Sequence, residues 1–319
     1  MATLRSRRPA KTTVDQAIAL AAGAWHQLGV SGWSTNHEDW AIDVEPLIIF
    51  TAWLDERDIR LRDEATDWCI RNWRFISRTR LRNLTLRQPK DVQTAVGEFV
   101  ATVAHSAGVP WPGATEPRPY KVTGRSVLSP LERPAMVWIR LRSMFGIGAR
   151  SEILRVLLSR PTGSTSVARL AERTGYMKRT VADECETLEL AKLLSVRILA
   201  NRFLYSLARR SELESLLGDL PSIRPDWTAI FNVVRELVLF DEAEERLSIR
   251  TLPVHARKSL DRIRDDLDEL GIDTTYDSVQ GEELTTAVRE LAASSLEKWS
   301  VGLFPSHEAS RQPGRIRIV

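Results

Sequence analysis

The chain has 319 residues, of which 43% are hydrophobic and 27% charged, with a formal net charge of +3 and two cysteines. This length suits two or three compact domains, and the composition excludes both a disordered chain and a disulfide-stapled one. No apolar run approaches the roughly 20 residues of a membrane span, and no apolar core follows the basic first residues as it would in a signal peptide, so we expect a cytoplasmic protein with no membrane partner.

Charge is distributed unevenly along the sequence. Residues 1–149 carry +5 (20 Lys and Arg against 15 Asp and Glu), and residues 150–210 carry +6 (12 against 6). Residues 211–310 carry −11 (10 against 21), and three arginines follow in the tail. A basic middle section is typical of a chain that presents one part of its surface to a polyanion. The alternative is an acidic C-terminal unit that is simply well solvated.

The first third of the chain predicts a Trp-rich helical domain over residues 14–110, preceded by a basic flexible arm over residues 1–13. Apolar residues at helical spacing indicate four helices in this domain. They cover about residues 14–30, 44–57, 61–77 and the stretch between Pro89 and Gly108. A Pro- and Gly-rich linker is predicted over residues 111–130.

The last third predicts an acidic helical domain over residues 211–305 and a basic tail over residues 306–319. One of its helices, "SLDRIRDDLDELGI", repeats apolar residues every three and four positions. The residues concerned are Leu260, Ile263, Leu267 and Leu270. Such a stripe can form a seam between two subunits or be buried within its own domain.

The middle of the chain predicts two short helices joined at a glycine, in "SVARLAERTGYMKRTVADECETLELAKLL" (166–194). Ser164 or Thr165 is expected to cap the first helix. Gly175 can adopt positive φ and turn the chain sharply. In the second helix an apolar stripe is expected at Val181, Cys185 and Leu188, at positions i, i+4 and i+7. Cys185, like Cys69, is therefore expected to be a free buried thiol.

A β-hairpin is predicted directly after these helices, over "LLSVRILANRFLYSLA" (193–208). Apolar residues alternate there with polar ones around a turn at Ala200–Asn201. The expected fold class is therefore mainly α, with a helical N-terminal domain, a central winged helix-turn-helix over residues 131–210 and a helical C-terminal domain.

Residues of about 145–210 resemble the winged-helix DNA-binding domains of the bacterial ArsR and MarR repressor families. The residues that carry the resemblance are Leu170, Ala171, Gly175, Tyr176, Val181 and the hairpin after Leu193. The resemblance implies a DNA-binding transcriptional regulator, a repressor, with double-stranded DNA as its partner. A homodimer is expected because one winged helix reads few base pairs and two-fold pairing doubles the site.

The predicted DNA contacts are basic or polar residues around the start of the second helix. They are Lys178, Arg179 and Thr180 at that helix start, Arg169 and Arg173 on the preceding helix, and Arg197 and Arg202 on the wing. Phosphates repel acids, so the four acids of the second helix are expected to face away from the DNA. These acids are Asp183, Glu184, Glu186 and Glu189.

A protein-interaction factor is the alternative to a DNA-binding regulator, because winged helices also serve as interaction modules. In an antitoxin-like protein of this kind the helical domains would hold a partner protein. A third possibility comes from "RNWRFISRTRLRNLTLR" (71–87), where arginines alternate with aromatic residues. This segment suits either a single-stranded nucleic-acid site or a helix with a Trp core face and a solvated Arg face.

Enzyme chemistry has little support in the sequence. The loop "NHED" (36–39) carries His37 and Asp39, which can ligate a metal or move protons, but no second ligand pair follows at regular spacing. Asp63, Glu64 and Asp67 are interpreted as a solvated helical face. We therefore expect no enzyme, no metal and no cofactor.

Overall fold

The computed structural model of the chain describes residues 11–33, 37–160, 163–272, 276 and 278–304. Within these ranges the fold is mainly helical with one small antiparallel sheet, which confirms the predicted fold class. The α-helices of the described part are α1 (Thr13–Leu28), α2 (Val44–Trp53), α3 (Ile59–Asn72), α4 (Arg78–Thr85), α5 (Lys90–Ala107), α6 (Val137–Phe145), α7 (Ala149–Leu158), α8 (Val167–Thr174), α9 (Lys178–Leu190), α10 (Arg210–Leu217), α11 (Trp227–Glu244), α12 (Leu252–Glu269) and α13 (Gly281–Ser300). The strands are β1 (Thr165–Ser166), β2 (Leu194–Leu199) and β3 (Arg202–Leu207).

The chain forms two compact units. One contains the residues up to Leu20 together with those from Ala229 onward, and the other contains residues 21–228. This grouping differs from the predicted domain order, because the Trp-rich helices and the winged helix share a unit. The predicted basic tail, and all but the last residues of the predicted arm, lie outside the described residues.

Buried tryptophans form much of the core of the unit over residues 21–228. The indole N–H of Trp25 donates to the Thr51 hydroxyl at 2.8 Å, and that of Trp68 donates to the Leu28 carbonyl at 2.9 Å. The two rings meet edge to face with centroids 5.5 Å apart. Both of these indoles thus have a partner for their one polar group, as burial of tryptophan requires. Cys69 lies in the same core as a free thiol, as predicted.

The predicted linker over residues 111–130 packs onto the helical core through Asp67. This carboxylate accepts hydrogen bonds from the backbone N–H groups of Thr123, Gly124 and Ser126 at 2.8–3.1 Å. Burial by itself would raise the pKa of Asp67, but the backbone donors outweigh it and lower the pKa. The interpretation of Asp67 as part of a solvated face was therefore wrong, because backbone donors from a segment 56 residues away cover it.

The winged helix lies in the same unit and consists of α7, α8, α9 and the sheet, whose strand order is β1-β3-β2. The three helices pack on one another around a core to which α9 contributes Val181, Cys185 and Leu188, as predicted. Ser166 caps α8 by accepting from the Arg169 N–H, so the predicted cap at Ser164 or Thr165 was wrong. The hairpin of β2 and β3 turns at Ala200–Asn201, where both residues have positive φ, as predicted for this turn.

Gly175 ends α8 in the left-handed region with φ +75° and donates its N–H to the Ala171 carbonyl. A Cβ added at this position would lie 3.2 Å from Leu84 Cδ2 and 3.3 Å from Arg80 Cγ. The glycine therefore serves both the turn and the close approach of α4.

Gly175→Ala is expected to lower the free energy of unfolding by about 1–2 kcal/mol, because alanine is strained at positive φ and its Cβ presses on α4. Urea unfolding would measure this change. Gly108→Ala is the matched control, since Gly108 has φ +66° with no atom near an added Cβ. Equal losses in the two variants would contradict a close approach at Gly175.

The unit that contains the residues from Ala229 onward includes α12 and α13, which pack on each other. The apolar stripe of α12 at Leu260, Ile263 and Leu267 is buried within the chain itself. Of the two interpretations of this stripe, burial in its own domain is therefore the one that holds. Charged groups lie at its edge, where Arg262 pairs with Glu236 at 2.7 Å.

Candidate nucleic-acid interface

The start of α9 presents an exposed basic and polar group of side chains. Lys178, Arg179 and Thr180 are all exposed, while Val181 next to them is fully buried. This arrangement follows from helical spacing, because the buried residues of α9 recur every three or four positions and occupy the opposite side. The two predicted contact residues with positive charge thus lie together in the first turn of the helix.

The first turn of α9 has two properties that favour an anion. Met177 precedes the helix and makes no capping hydrogen bond through its side chain, so no N-cap side chain covers the free N–H groups. Lys178 and Arg179 form no ion pair with any residue that the structure describes. A helix N-terminus attracts negative charge, and two unpaired cations beside it strengthen that field.

The acids of α9 are not all directed away from this surface. Asp183 and Glu186 are exposed, and they follow Arg179 at positions i+4 and i+7, which places the three side chains on one side of the helix. The four acids were predicted to face away from DNA, yet these two lie on the same side of α9 as Arg179, one of the predicted DNA contacts. Glu184 lies on another side and pairs with Arg150 at 2.9 Å. Positive charge on α9 is thus concentrated at its first turn.

The wing carries its two predicted arginines on one face. In the hairpin register Arg202 lies opposite Leu199, and Arg197 is two residues from Leu199, so both arginines point to the same side of the sheet. Both are exposed and have no ion pair among the described residues. The opposite face carries Ile198 and Phe203, which are 69% and 55% exposed at the hairpin tip. The wing therefore carries both arginines on one face, together with the exposed Leu199, and apolar side chains at the tip of the other face.

The two arginines of α8 differ in their environments. Arg169 is partly exposed and pairs with Glu172 at 2.7 Å. Arg173 is only 10% exposed in its side chain and lies 3.7 Å from an oxygen of Asp226. Burial is the main cause that lowers the pKa of Arg173 to about 10, with Asp226 opposing it. Arg173 therefore lies inside the unit, and we leave it out of the proposed DNA contacts.

A buried cluster of six charged side chains, which was not predicted from the sequence, connects α7 of the winged helix with α4, α6 and the start of α2. It consists of three acids and three arginines, namely Asp43, Glu45, Glu152, Arg80, Arg142 and Arg155. The arginines bridge the acids: Arg80 pairs with Asp43 at 2.6 Å, and Arg142 pairs with both Glu45 and Glu152 at 2.6 and 2.7 Å. Charge is thus balanced inside the protein, as burial requires.

The electrostatics of this buried cluster keep two of its acids, Glu152 and Asp43, ionised. Burial alone would raise the pKa of Glu152, but Arg142, Arg80 and Arg155 outweigh it and lower the pKa to about 2. Burial would also raise the pKa of Asp43, but the same three arginines outweigh it and lower this pKa. One sequence signal was available, since Glu45 lies in the otherwise apolar helix "VEPLIIFTAW".

The buried cluster also fixes the turn between α8 and α9. Arg80 donates from Nε to the Thr174 carbonyl at 3.1 Å, and Arg155 donates to the Arg173 carbonyl at 3.2 Å. Tyr176 shares a hydrogen bond of 2.7 Å with Ser77, the N-cap residue of α4. The two arginine bonds satisfy the carbonyls of Arg173 and Thr174, at the end of α8, which have no partner within that helix. The turn between α8 and α9 is therefore attached to α4 and α7.

His37 and Asp39, the residues considered for enzyme chemistry, both contact other residues of the described part of the chain. His37 is fully buried, and its ring lies edge to face with Trp40 at 5.1 Å. Asp39 accepts a hydrogen bond from the Ser222 N–H at 2.8 Å. Asn36 lies outside the described residues. Among those that are described, no group of three or more His, Cys, Asp or Glu side chains could hold a metal ion.

Comparisons of the chain with protein-family models, with curated proteins and with solved structures gave no match. Across the described ranges we find no helix with the length and apolar character that crossing a membrane requires. The candidate interface therefore rests on the geometry of the winged helix alone.

Proposed function

We propose that the protein is a DNA-binding transcriptional regulator, a repressor, that contacts duplex DNA through its winged helix. The observation that carries this proposal is the first turn of α9, where Lys178 and Arg179 are exposed, have no ion pair among the described residues and flank a helix end without a side-chain cap. Such a turn can enter the major groove and reach base edges and phosphates.

The wing supplies the second part of the proposed contact. Arg197 and Arg202 lie on one face of the hairpin, in a position to bind phosphates or the minor groove beside the helix. Arg169 adds a partly exposed cation on α8. We further propose a homodimer, because two winged helices on a two-fold site read twice the sequence of one.

A titration of the full chain with the duplex upstream of its own gene tests the proposal. Affinity is expected to fall steeply between about 50 and 200 mM salt, because phosphate contacts release counterions. The single strands of the same sequence serve as the control and are expected to bind more weakly. Binding that is absent, or that salt does not change, would contradict the proposal.

A protein-interaction factor is the second candidate, favoured by Asp183 and Glu186 on the same side of α9 as Arg179. A surface of mixed charge suits a protein partner better than a phosphate backbone. Two exposed apolar side chains, Met177 and Leu190, lie at the two ends of the same helix and add to this candidate.

Neutralising the two acids separates the candidates. Asp183→Asn with Glu186→Gln is expected to raise the affinity for duplex DNA about two- to five-fold at low salt, because two charges that repel phosphate are removed. Fluorescence anisotropy would measure the change. The control variant, Glu282→Gln with Glu283→Gln, removes two exposed acids from α13 and is expected to have a smaller effect. Unchanged or weaker DNA binding in the α9 variant would favour the interaction factor.

A further inference from the structure

The tip of the hairpin formed by β2 and β3 carries three large apolar side chains in contact with water. Ile198, Leu199 and Phe203 are 69%, 62% and 55% exposed. The loop between the strands has only two residues, Ala200 and Asn201, both with positive φ, so the hairpin ends in a tight turn. Large apolar side chains are favoured by burial, so three of them at one point of the surface indicate contact with a partner.

The tip is exposed because the hairpin is longer than the core beneath it. Val196 and Tyr205 form a cross-strand pair on one face, where Tyr205 is buried in the core of the winged helix and Val196 packs against that core. Ile198 and Phe203 are the next pair on this face, about 7 Å further along the strands. Arg202, the last paired residue before the turn, lies about 10 Å from Tyr205 along its strand. This projection exceeds the depth of the minor groove of duplex DNA, roughly 7.5 Å.

The charge of the hairpin favours a polyanion as the partner of its tip. Residues 193–208 contain two arginines and no acid. Both arginines, Arg197 and Arg202, are exposed beside the apolar tip and have no ion pair among the described residues. Two copies of the chain that met tip to tip would bring four arginines together with no acid from either hairpin, which is unfavourable. The hairpin also packs against α9 through β2, so the tip belongs to the same packed unit as the proposed major-groove element.

From this geometry we propose that the wing tip is an apolar wedge, which enters the minor groove and inserts Ile198 and Phe203 into a base step. This inference rests on the proposed DNA-binding function and adds bending of the duplex to it. Apolar side chains inserted in this way partly unstack the step and kink the duplex by about 20–90°. Arg197 and Arg202 bind backbone phosphates at the edge of the groove. The kink is expected at a TA or CA/TG step, since these steps unstack most easily.

The end-to-end distance of the upstream duplex, labelled at both ends and saturated with the full chain, tests the inference by fluorescence resonance energy transfer. The wild type is expected to shorten this distance, and Ile198→Thr with Phe203→Thr is expected to lose most of the shortening. Threonine suits an exposed strand position, so this variant removes the wedge and keeps the hairpin. Phe203→Leu retains an apolar side chain and is expected to keep the bend.

Ile59→Thr with Leu86→Thr is the matched control, since it removes two similarly exposed apolar side chains from α3 and the end of α4, in the same unit as the wing. It is expected to bend the duplex as the wild type does. Circular dichroism checks that each variant is folded; the exposed side chains at the tip have little burial to lose.

Three results would overturn the wedge while leaving the DNA-binding function in place. The first is a wild type that binds the duplex and leaves it straight, and the second is a bend that persists in Ile198→Thr/Phe203→Thr. The third is an unchanged bend together with loss, in this variant, of binding to phosphatidylserine vesicles or of self-association in sedimentation velocity, which would assign the tip to a lipid surface or to a second copy. If the wild type binds no duplex at all, both the wedge and the proposed function fail.

Discussion

Lys178→Ala with Arg179→Ala is expected to weaken duplex DNA binding about 100-fold. Each side chain lies in the first turn of α9, exposed and without an ion pair among the described residues, where it can reach a base edge or a phosphate. A good base contact contributes about 1–3 kcal/mol, and about 1.4 kcal/mol corresponds to a tenfold change in affinity. Fluorescence anisotropy with the upstream duplex measures the loss.

The control for this variant must have the same net charge. Arg246→Ala with Arg250→Ala meets that condition, and it is expected to change affinity less than three-fold, because neither residue belongs to the unit that carries α9. The thermal unfolding of Lys178→Ala/Arg179→Ala should match that of the wild type, since neither side chain has a partner to lose in the described structure. Equal affinity losses in the two variants would show that overall charge, and not the first turn of α9, determines binding.

The second large effect is expected in the buried ion cluster. Glu45→Gln removes one of three acids and leaves three arginines facing two carboxylates in a buried site. Breaking a buried ion pair in this way costs about 3–5 kcal/mol, because the remaining charge is uncompensated. We expect the free energy of unfolding in urea to fall by that amount. Because the cluster holds α4 against the end of α8, the unit over residues 21–228 would unfold at lower urea concentration.

A double-mutant cycle tests whether the loss comes from charge imbalance. Arg142→Met is expected to be about as destabilising as Glu45→Gln, since it leaves Glu45 and Glu152 short of a cation. Combined, the two substitutions restore the balance, so the double variant is expected to lose less than the sum of the two single losses. Additive losses would mean that the two side chains contribute independently, and the description of the cluster as one charge-balanced network would be wrong.

Local patterns made the winged helix predictable. Val181, Cys185 and Leu188 repeat at helical spacing, and all three are buried in the core. The Ala200–Asn201 turn was visible because polar and apolar residues alternate on both sides of it. Even the position of Asp183 and Glu186 beside Arg179 could have been derived, since i+4 and i+7 define one side of a helix. The net charge summed along α9 therefore does not describe its exposed side, where two acids share a face with Arg179.

Contacts between distant residues were not predictable from one sequence. Glu45 and Arg142 are 97 positions apart in the sequence. Arg80, which donates to the Thr174 carbonyl, is 94 positions from that residue. No periodicity links such positions, so the buried cluster could be indicated only by an acid in an apolar helix. The contacts of Asp67 were likewise not predictable, because its three backbone donors come from a distant segment whose composition indicated a linker. For the same reason the Trp-rich helices and the winged helix were predicted as separate domains.

The proposed function requires that the first turn of α9 enters the major groove of duplex DNA. Protection of guanine N7 from methylation in the upstream duplex tests it most directly, because N7 lies in the major groove and is the atom that a lysine or arginine contacts. We predict that the wild-type chain protects guanines within its site and that Lys178→Ala/Arg179→Ala, at concentrations that still saturate the duplex, does not. Protection that persists in this variant, or a bound wild type that protects no guanine in a site containing several, would contradict the claim.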